Sequence, residues 1–508
     1  MSCEDCLSCR NVLWCLVFTG CGINYMVRTN LNIAIVAMVL AGNTTTSQYQ
    51  EATRQSLNIT NNRVHVGSLV PEPQYNWNEY EQGQVLGAFF WTYWMGQLPG
   101  GILAQKYGTK KVFGFSNLFM CLATFLIPWC SKMNVLALIA LRMLQGLVGG
   151  LAWPSLHDMT AKWIPPNERS KFVTAYMGSS VGAALTYPLC GLIIYYCGWR
   201  AVFYITGTIG VVWAVAWWKF VHDSPADHPY ISGRELRYIQ SSLYESVSKK
   251  KLPIPWLRIV LSGPLWILIA AHWGCLWGMF TLLTQAPTYF QNVHGWSIRM
   301  TGLLSGVPHL SRVILALGVS YACDYILKKN FSYTTTRKIG VTISSTLQGV
   351  LMLGLAFSGS SAIGAIICFT VATTLTGAEA PVISVLTLPG NGPGQYNSNG
   401  RTSDIKSDSC VVMGVGNMIT VMPGFISPII VGVLTYQNQS PGQWQVVFLI
   451  SAAMAIVPGL LYLCCGSSEI QPWNCNRAAV SEELQNLSSK LYHDKFHKQE
   501  ELQFNKNC

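Results

Sequence analysis

Long apolar segments alternate with short polar segments along nearly the whole chain of 508 residues. Each apolar segment has about the 20 residues that a helix needs to cross the hydrocarbon core of a bilayer. Backbone groups in lipid must form hydrogen bonds within the protein, and the alternation typical of a transmembrane β-barrel does not occur, so the segments are predicted to be helices. The twelve predicted spans are residues 12–40, 80–104, 112–130, 134–160, 172–197, 200–221, 259–290, 299–327, 338–358, 361–386, 410–436 and 443–466.

A long polar segment in the middle of the chain divides the predicted spans six and six. This layout is typical of transporters built from two parallel halves with a site between them near the middle of the membrane. We therefore predict an all-α membrane protein with twelve transmembrane helices in two six-helix halves. Its predicted parts are the N-terminal half (1–221), a central cytoplasmic loop (222–258), the C-terminal half (259–466) and a cytoplasmic tail (467–508).

The charged residues predict how the chain is oriented. Only 11% of the residues are charged and the net charge is +11, whereas soluble domains have about a quarter charged. Most of the Lys and Arg residues fall on the side of the two termini, which predicts that both termini are cytoplasmic. We expect a monomeric multi-pass protein surrounded by lipid, in the plasma membrane or an endolysosomal or vesicular membrane, with no nucleic-acid partner.

Two predicted spans carry an arginine near the middle of the bilayer, Arg28 in the first span and Arg142 in the fourth. A charged side chain at that depth is costly and normally faces a partner or a water-filled cavity rather than lipid. We therefore predict that both arginines bind a negatively charged substrate group; the alternative is a structural arginine satisfied by backbone carbonyls. The other candidate substrate-binding residues are Tyr25, Tyr93, Trp153 and Arg312.

Two titratable residues are candidates for coupling to an ion such as H⁺ or Na⁺. His157 follows Arg142 by about 22 Å of helical rise and roughly 60° of rotation, so both can line one cavity. Its ordinary pKa lies near physiological pH, which suits a proton relay; the alternative is a hydrogen-bonded packing residue. Glu379 is the clearest acidic residue inside a predicted span. It is predicted to take up a coupling proton, or else to pair with an arginine across the bundle.

The loop after the fourth span has the sequence KWIPPNERSK. Lys162 lies four residues after Asp158, so the two are predicted to pair on one helix face. The charged residues of this loop are predicted to act in gating at the cytoplasmic side. They are Lys162, Glu168, Arg169 and Lys171.

Two glycosylation sequons, at Asn43 and Asn58, lie in the polar loop that the charge pattern assigns to the non-cytoplasmic side, so both are predicted glycosylation sites. The chain has no HExxH, Gly-x-Ser-x-Gly or GxxxxGK[ST] motif. These absences argue against an enzyme and against pumping driven by ATP. We expect neither a metal nor another cofactor.

Several segments match a known family in the same order along residues 12–474. They include YMVRTNLNIAIV, LGAFFWTYWMGQLPGG, RMLQGLVGG, KWIPPNERSK, GWRAVFY, SGVPHL and SPIIVGVLT. In these segments the chain resembles the anion/cation symporter branch of the major facilitator superfamily, which includes sialin, the vesicular glutamate transporters and the type I sodium–phosphate cotransporters. The resemblance implies the major facilitator fold and electrochemically driven transport of organic anions or phosphate. It places Arg28 and Arg142 at arginines tied to anion binding.

The chain also departs from this pattern at four places. Gly149 replaces the acidic residue of the fourth helix, Cys275 replaces an arginine of the seventh, and Leu86 replaces a histidine of the second. The segment 387–409 is atypical. These changes argue against a vesicular glutamate transporter. We predict a secondary active transporter of small organic anions that works by alternating access and is driven by an ion or voltage gradient. The alternatives are a sodium-dependent inorganic phosphate cotransporter and a non-transporting receptor or scaffold with this fold.

Overall fold

The computed structural model describes residues 8–39, 74–165, 168, 172, 174–244, 261–329, 333–359, 361–379 and 416–466. These residues are helical apart from short connections and one isolated β-bridge between Val39 and Tyr75. The predicted glycosylation sites Asn43 and Asn58, the loop residues Arg169 and Lys171, and the segment 387–409 lie outside the described residues.

The first half of the chain contains eight of the helices that the structure describes, with 3₁₀ turns at Thr174–Met177 and Pro225–Asp227. These helices are α1 (Cys9–Met38), α2 (Glu79–Tyr107), α3 (Thr109–Met133), α4 (Val135–Gly149), α5 (Ala152–Trp163), α6 (Gly178–Cys197), α7 (Trp199–Phe220) and α8 (Gly233–Tyr244).

The second half contains a π-helical turn at Thr342–Leu347 and a 3₁₀ turn at Thr376–Ala378. Its described α-helices are α9 (Gly263–His294), α10 (Ile298–Lys328), α11 (Tyr333–Val341), α12 (Gln348–Ala356), α13 (Ala362–Leu375), α14 (Pro423–Leu434) and α15 (Pro441–Cys465).

Each of the twelve predicted spans coincides with helix in the described part of the chain. Ten helical segments there are long and apolar enough to cross a bilayer. The other two spans are α2, which has 29 residues but is less apolar, and the shorter apolar helix Ala362–Ala378. The fourth predicted span differs from a single helix, because a turn at Gly150 and Leu151 separates α4 from α5.

Local sequence explains where several helices begin and end. At the start of α2, Asn78 accepts a hydrogen bond from the Glu81 backbone N–H at 2.8 Å, and the Glu81 carboxylate accepts one from Asn78 N at 3.0 Å. This reciprocal pair satisfies donors that a helix start leaves free. Helix α9 ends at Gly295, whose φ of 65° is in the left-handed region that glycine adopts without strain.

Glycines allow α2 and α4 to pack backbone against backbone. A Cβ on Gly146 would lie 1.8 Å from the Phe89 carbonyl oxygen, and one on Gly150 would lie 2.3 Å from the Tyr93 carbonyl oxygen. Such close crossings are typical of helices in membranes, where small residues replace hydrophobic burial as the source of contact. This crossing places Phe89 and Tyr93 next to the polar residues of α4.

The two halves meet toward one side of the bundle. We define the terminal face as the side at which Cys9 and Glu235 lie, with Cys9 N donating to Glu235 Oε2 at 3.2 Å. The opposite face is the side of the Val39–Tyr75 bridge. Helices α6 and α10 pack closely from the middle of the bundle toward the opposite face. A Cβ on Gly306 would lie 2.5 Å from the Ala184 carbonyl oxygen, and a Cβ on Gly191 would lie 3.2 Å from the Ile298 carbonyl oxygen.

Hydrogen bonds between described residues of the two halves also lie toward the opposite face. Asn32 Nδ2 donates to the Leu283 carbonyl oxygen at 3.2 Å, and Tyr187 Oη donates to the same oxygen. The Gln437 N–H donates to the Glu79 carboxylate at 3.1 Å. The halves are therefore in contact with each other at the opposite face.

Candidate functional site

The guanidinium group of Arg28 lies among four aromatic rings. Its central carbon is 4.6 Å from the ring centroids of Tyr25 and Tyr93, 4.9 Å from that of Phe89 and 5.6 Å from that of Phe90. Aromatic faces attract a cation, most strongly where water is excluded, and Arg28 is only 3% exposed. The rings therefore hold the guanidinium in place without neutralising its charge.

Arg142 lies next to Arg28 and is 1% exposed. It donates to Gln145 Oε1 at 3.1 Å, to the Arg28 carbonyl oxygen at 3.1 Å and to the Val27 carbonyl oxygen at 3.5 Å. Its guanidinium carbon is 5.2 Å from the Phe89 centroid. The carbonyl contacts that the alternative interpretation of the sequence required are thus present, but they are made by Arg142 rather than by Arg28.

Amide side chains connect both arginines to α3. Asn24 Oδ1 accepts from Arg28 at 3.3 Å, and Asn24 Nδ2 donates to Asn117 Oδ1 at 2.9 Å. Gln145 Nε2 donates to Thr124 Oγ1 at 3.2 Å. All of these partners are neutral, so they orient the arginines but leave two positive charges in the bundle.

The arginine pair, Arg28 and Arg142, has no acidic partner in the part of the chain that the structure describes. Among the described residues neither arginine forms a salt bridge, and the Nε atom of each is buried without a hydrogen-bond partner. Both guanidinium carbons lie near the Phe89 ring, so they are at most about 10 Å apart and repel by at least about 1.7 kcal/mol at an effective dielectric constant of about 20. Unpaired buried charges are unfavourable, and a bound anion offsets that cost.

Gly149 occupies the position at which the family resemblance leads one to expect an acidic residue. A Cβ at this position would lie 2.9 Å from Met120 Sδ and 3.2 Å from Phe89 Cζ. An acidic side chain would therefore require Met120 to move. The packing around Gly149 explains how the chain accommodates the loss of that residue, and it leaves the arginine pair uncompensated from α4.

Toward the terminal face, Tyr176 brings together three residues of α5. The rings of Trp153 and His157 lie edge-on to the Tyr176 ring at centroid distances of 5.6 and 5.7 Å, and Tyr176 Oη is 2.9 Å from Thr160 Oγ1. Tyr176 is buried, whereas His157 is exposed. Trp153 and His157 share a helix face, as predicted.

The charged loop at the terminal face forms two separate groups of contacts. The predicted pair of Lys162 with Asp158 is present at 2.7 Å. Glu168 instead pairs with Arg10 at the start of α1 and accepts a hydrogen bond from Tyr238 of α8 at 3.2 Å. Burial, followed by the Glu168 carboxylate, raises the pKa of Tyr238 above its ordinary value. The sequence did not predict the Arg10 and Tyr238 contacts, because they join distant segments.

Glu379 lies in the second half, and its partners differ from the arginine considered as the alternative. Its Oε1 pairs with His272 Nδ1, and its Oε2 accepts from Cys275 Sγ at 3.2 Å. Arg312 lies within electrostatic range of Cys275 and His309, also in the second half. Helix α10 packs against α13 and the turn that precedes Glu379. Arg312 therefore lies near Glu379 and its partners His272 and Cys275, and not near the arginine pair.

The sequence did not predict several residues that contact Arg28, His157 and Glu379. Phe89 and Phe90 line Arg28, Tyr176 contacts His157, and His272 pairs with Glu379. The aromatic residues carry no signal that separates them from ordinary core residues. His272 did carry one, since a histidine in an apolar span is expected to face a partner or a cavity.

The fold is that of a polytopic membrane protein with two helical halves, and the first half holds the buried arginine pair. Residues 17–398 match the Major Facilitator Superfamily. The chain belongs to this superfamily and, within it, to the group that includes sialin, vesicular glutamate transporters and putative inorganic phosphate cotransporters.

The similarity to individual relatives extends over most of the chain. Human sialin is 34% identical over 93% of this chain and 92% of its own length. A putative inorganic phosphate cotransporter of Drosophila melanogaster is 33% identical over 93% of this chain and 87% of its own. Human vesicular glutamate transporter 2 is 33% identical over 90% of this chain and 74% of its own.

Solved structures support the fold. A bacterial homolog of the human lysosomal transporter Spinster, in an inward-facing and unoccupied conformation, has a TM-score of 0.59 and 12% identity over 90% of this chain and 97% of its own. The E. coli xylose transporter, in a partially occluded inward-open conformation, has a TM-score of 0.60 and 13% identity over 89% of this chain and 96% of its own.

Proposed function

We propose that this protein is a secondary active transporter that moves small organic anions by alternating access, driven by an ion or voltage gradient. The observation that carries the proposal is the arginine pair, two buried guanidinium groups without an acidic partner among the described residues. Such a pair is costly to maintain for packing alone. An anionic substrate supplies the missing counter-charge through charge-assisted hydrogen bonds.

The position of the pair links anion binding to the closed contact between the halves. Arg28 precedes Asn32 on α1 by about one turn, and Asn32 donates to the Leu283 carbonyl oxygen of the other half. An anion that binds Arg28 therefore lies about one helical turn from this contact. Opening the opposite face requires that contact to separate, so the same helix binds the anion and moves during alternating access.

A second candidate is sodium-dependent cotransport of inorganic phosphate. The arginine pair has two positive charges, and Gly149 supplies no carboxylate to reduce them. Such a site also suits an anion with two negative charges, and one relative is a putative inorganic phosphate cotransporter. The two candidates differ in whether uptake requires a sodium gradient. A receptor or scaffold without transport is the third alternative. The buried arginines, which have no acidic partner among the described residues, argue against it.

The test is uptake of labelled phosphate, urate, sialate and glutamate into proteoliposomes, with each anion offered separately. We expect Arg28→Ala to abolish saturable uptake of the transported anion while the protein remains folded in size-exclusion chromatography. Arg237→Ala, at an exposed arginine of α8, is the matched control and is expected to transport normally. Unchanged uptake by Arg28→Ala would contradict the proposal that the arginine pair binds the anion.

The remaining sequence-based expectations belong to the same proposal. They are the domain bounds at 221, 258 and 466, cytoplasmic termini, a monomeric protein, and residence in the plasma membrane or an endolysosomal or vesicular membrane. Gating by Lys162 and Glu168, together with Arg169 and Lys171, is also proposed. Epitope accessibility at the two termini tests their orientation, and loss of glycan after Asn43→Gln or Asn58→Gln tests the predicted sites.

A further inference from the structure

A carboxylate and an imidazole form a pair in the second half, apart from the arginine pair. Glu379, after the 3₁₀ turn that follows α13, pairs with His272 of α9. Their side chains are 9% and 17% exposed. The second carboxylate oxygen accepts from Cys275 Sγ at 3.2 Å. Both oxygens of Glu379 are thus held by groups that are neutral or able to become neutral.

Other polar groups approach this pair from the neighbouring helices. Arg312 of α10 lies within electrostatic range of Cys275, and a Cβ on Gly377 would lie 2.4 Å from the Arg312 carbonyl oxygen. Ser344, in the π-helical turn, also lies close to Cys275. An imidazole, unlike a carboxylate, has an ordinary pKa near physiological pH, which makes the histidine the candidate proton carrier of the pair.

The choice of partner separates Glu379 from other described acidic residues. Asp158 pairs with Lys162, and Arg10 pairs with Glu168 and Glu235. Lysine and arginine remain charged over the physiological range, so these pairs are permanent ion pairs. Histidine gains and loses a proton in that range. The pair of Glu379 with His272 is therefore able to switch between two charge states.

Resting on the transport function proposed above, we infer that His272 and Glu379 together bind the proton whose movement drives anion transport in this chain. Proton uptake converts the imidazole to imidazolium and changes the charge of the pair from −1 to 0. Release of the proton restores the first state, and no other bond is made or broken. The anion site then lies in the first half and the proton site in the second, so both ligands act on the rocking of the halves.

The experiment compares three measurements in proteoliposomes, with phosphate, urate, sialate and glutamate as probes. They are accumulation driven by a pH gradient, proton flux reported by a pH-sensitive dye, and exchange of labelled for unlabelled anion without a gradient. With one proton per monoanion, wild type should accumulate the probe by about tenfold for each pH unit. Glu379→Gln and His272→Gln should lose accumulation and proton flux but retain exchange.

The controls separate failure of this inference from failure of the transport function. Asp227→Asn makes a similar carboxylate-to-amide change at an exposed residue and should behave as wild type. Gradient-driven accumulation in Glu379→Gln would overturn the inference and leave the transport function standing. The same holds if wild type exchanges the anion but shows no proton flux when a pH gradient is imposed. Absence of exchange by folded wild type for every probe would overturn both. If Glu379→Gln does not fold, His272→Gln and the proton flux of wild type decide.

Discussion

Replacing Arg28 by methionine removes the charge while keeping an unbranched side chain among the aromatic rings. The guanidinium carbon lies 4.6 Å from the Tyr25 and Tyr93 centroids, and a thioether packs favourably against such rings. The transported anion loses at least one charge-assisted hydrogen bond, worth about 1.5–3 kcal/mol. We therefore expect the half-saturation concentration for uptake to rise by about 10- to 150-fold.

The same substitution should change stability much less than transport. It removes a repulsion with Arg142 of at least about 1.7 kcal/mol and the cost of burying a charge. It also removes the bond to Asn24 and the attraction of the aromatic rings. These contributions oppose each other, so we expect the free energy of unfolding to change by less than about 2 kcal/mol. The change should appear as a small shift of the apparent melting temperature, measured by size-exclusion chromatography after heating.

A double-mutant cycle shows whether both arginines act on the same anion. If they do, the effects of Arg28→Met and Arg142→Met on half-saturation should be non-additive by about 0.5–3 kcal/mol. Arg237→Met serves as the control because Arg237 is exposed on α8. The reasoning is refuted if Arg28→Met transports with an unchanged half-saturation concentration, or if the two substitutions are strictly additive.

Three further predictions concern the faces of the bundle. A Cβ on Gly306 would lie 2.5 Å from the Ala184 carbonyl oxygen, so Gly306→Leu should push α10 away from α6. Labelling of cysteines introduced at the opposite face should then increase, and unchanged labelling would count against the closed contact. Arg10→Gln removes the ion pairs that the partly exposed Arg10 makes with Glu168 and Glu235. We expect the free energy of unfolding to fall by about 1 kcal/mol or less, so the melting temperature of the variant should fall only slightly. Burial lowers the pKa of His222, so the folded state prefers the neutral ring and loses stability as pH falls below the ordinary histidine pKa. His222→Gln should lessen that loss in melts recorded at a series of pH values, and an unaltered acid response would contradict it.

The sequence predicted the positions of the helices because apolar length is a local property. It did not predict the break between α4 and α5. The glycines near that break are equally consistent with close packing inside one continuous helix. Gly150 does pack closely against α2, because a Cβ added to it would lie 2.3 Å from the Tyr93 carbonyl oxygen. Which role such a glycine takes depends on the neighbouring helix.

The two arginines of the candidate site were also predictable, since a charge in an apolar span stands out by itself. Their surroundings were not. The ring of Phe89 reaches both arginines only because Gly146 lets α2 and α4 cross closely. The pairing of Glu379 with His272 joins residues that are 107 positions apart. Such contacts depend on the packing of whole helices, which local patterns do not specify.

The most direct test of the account is uptake of labelled phosphate, urate, sialate and glutamate under separately imposed sodium, pH and voltage gradients, with wild type and Arg142→Ala side by side. Arg142 is the most deeply buried member of the arginine pair. We expect saturable uptake of at least one anion by wild type, driven by one gradient and lost in Arg142→Ala. Uptake that Arg142→Ala retains in full, from protein shown to be folded and correctly oriented, would contradict it.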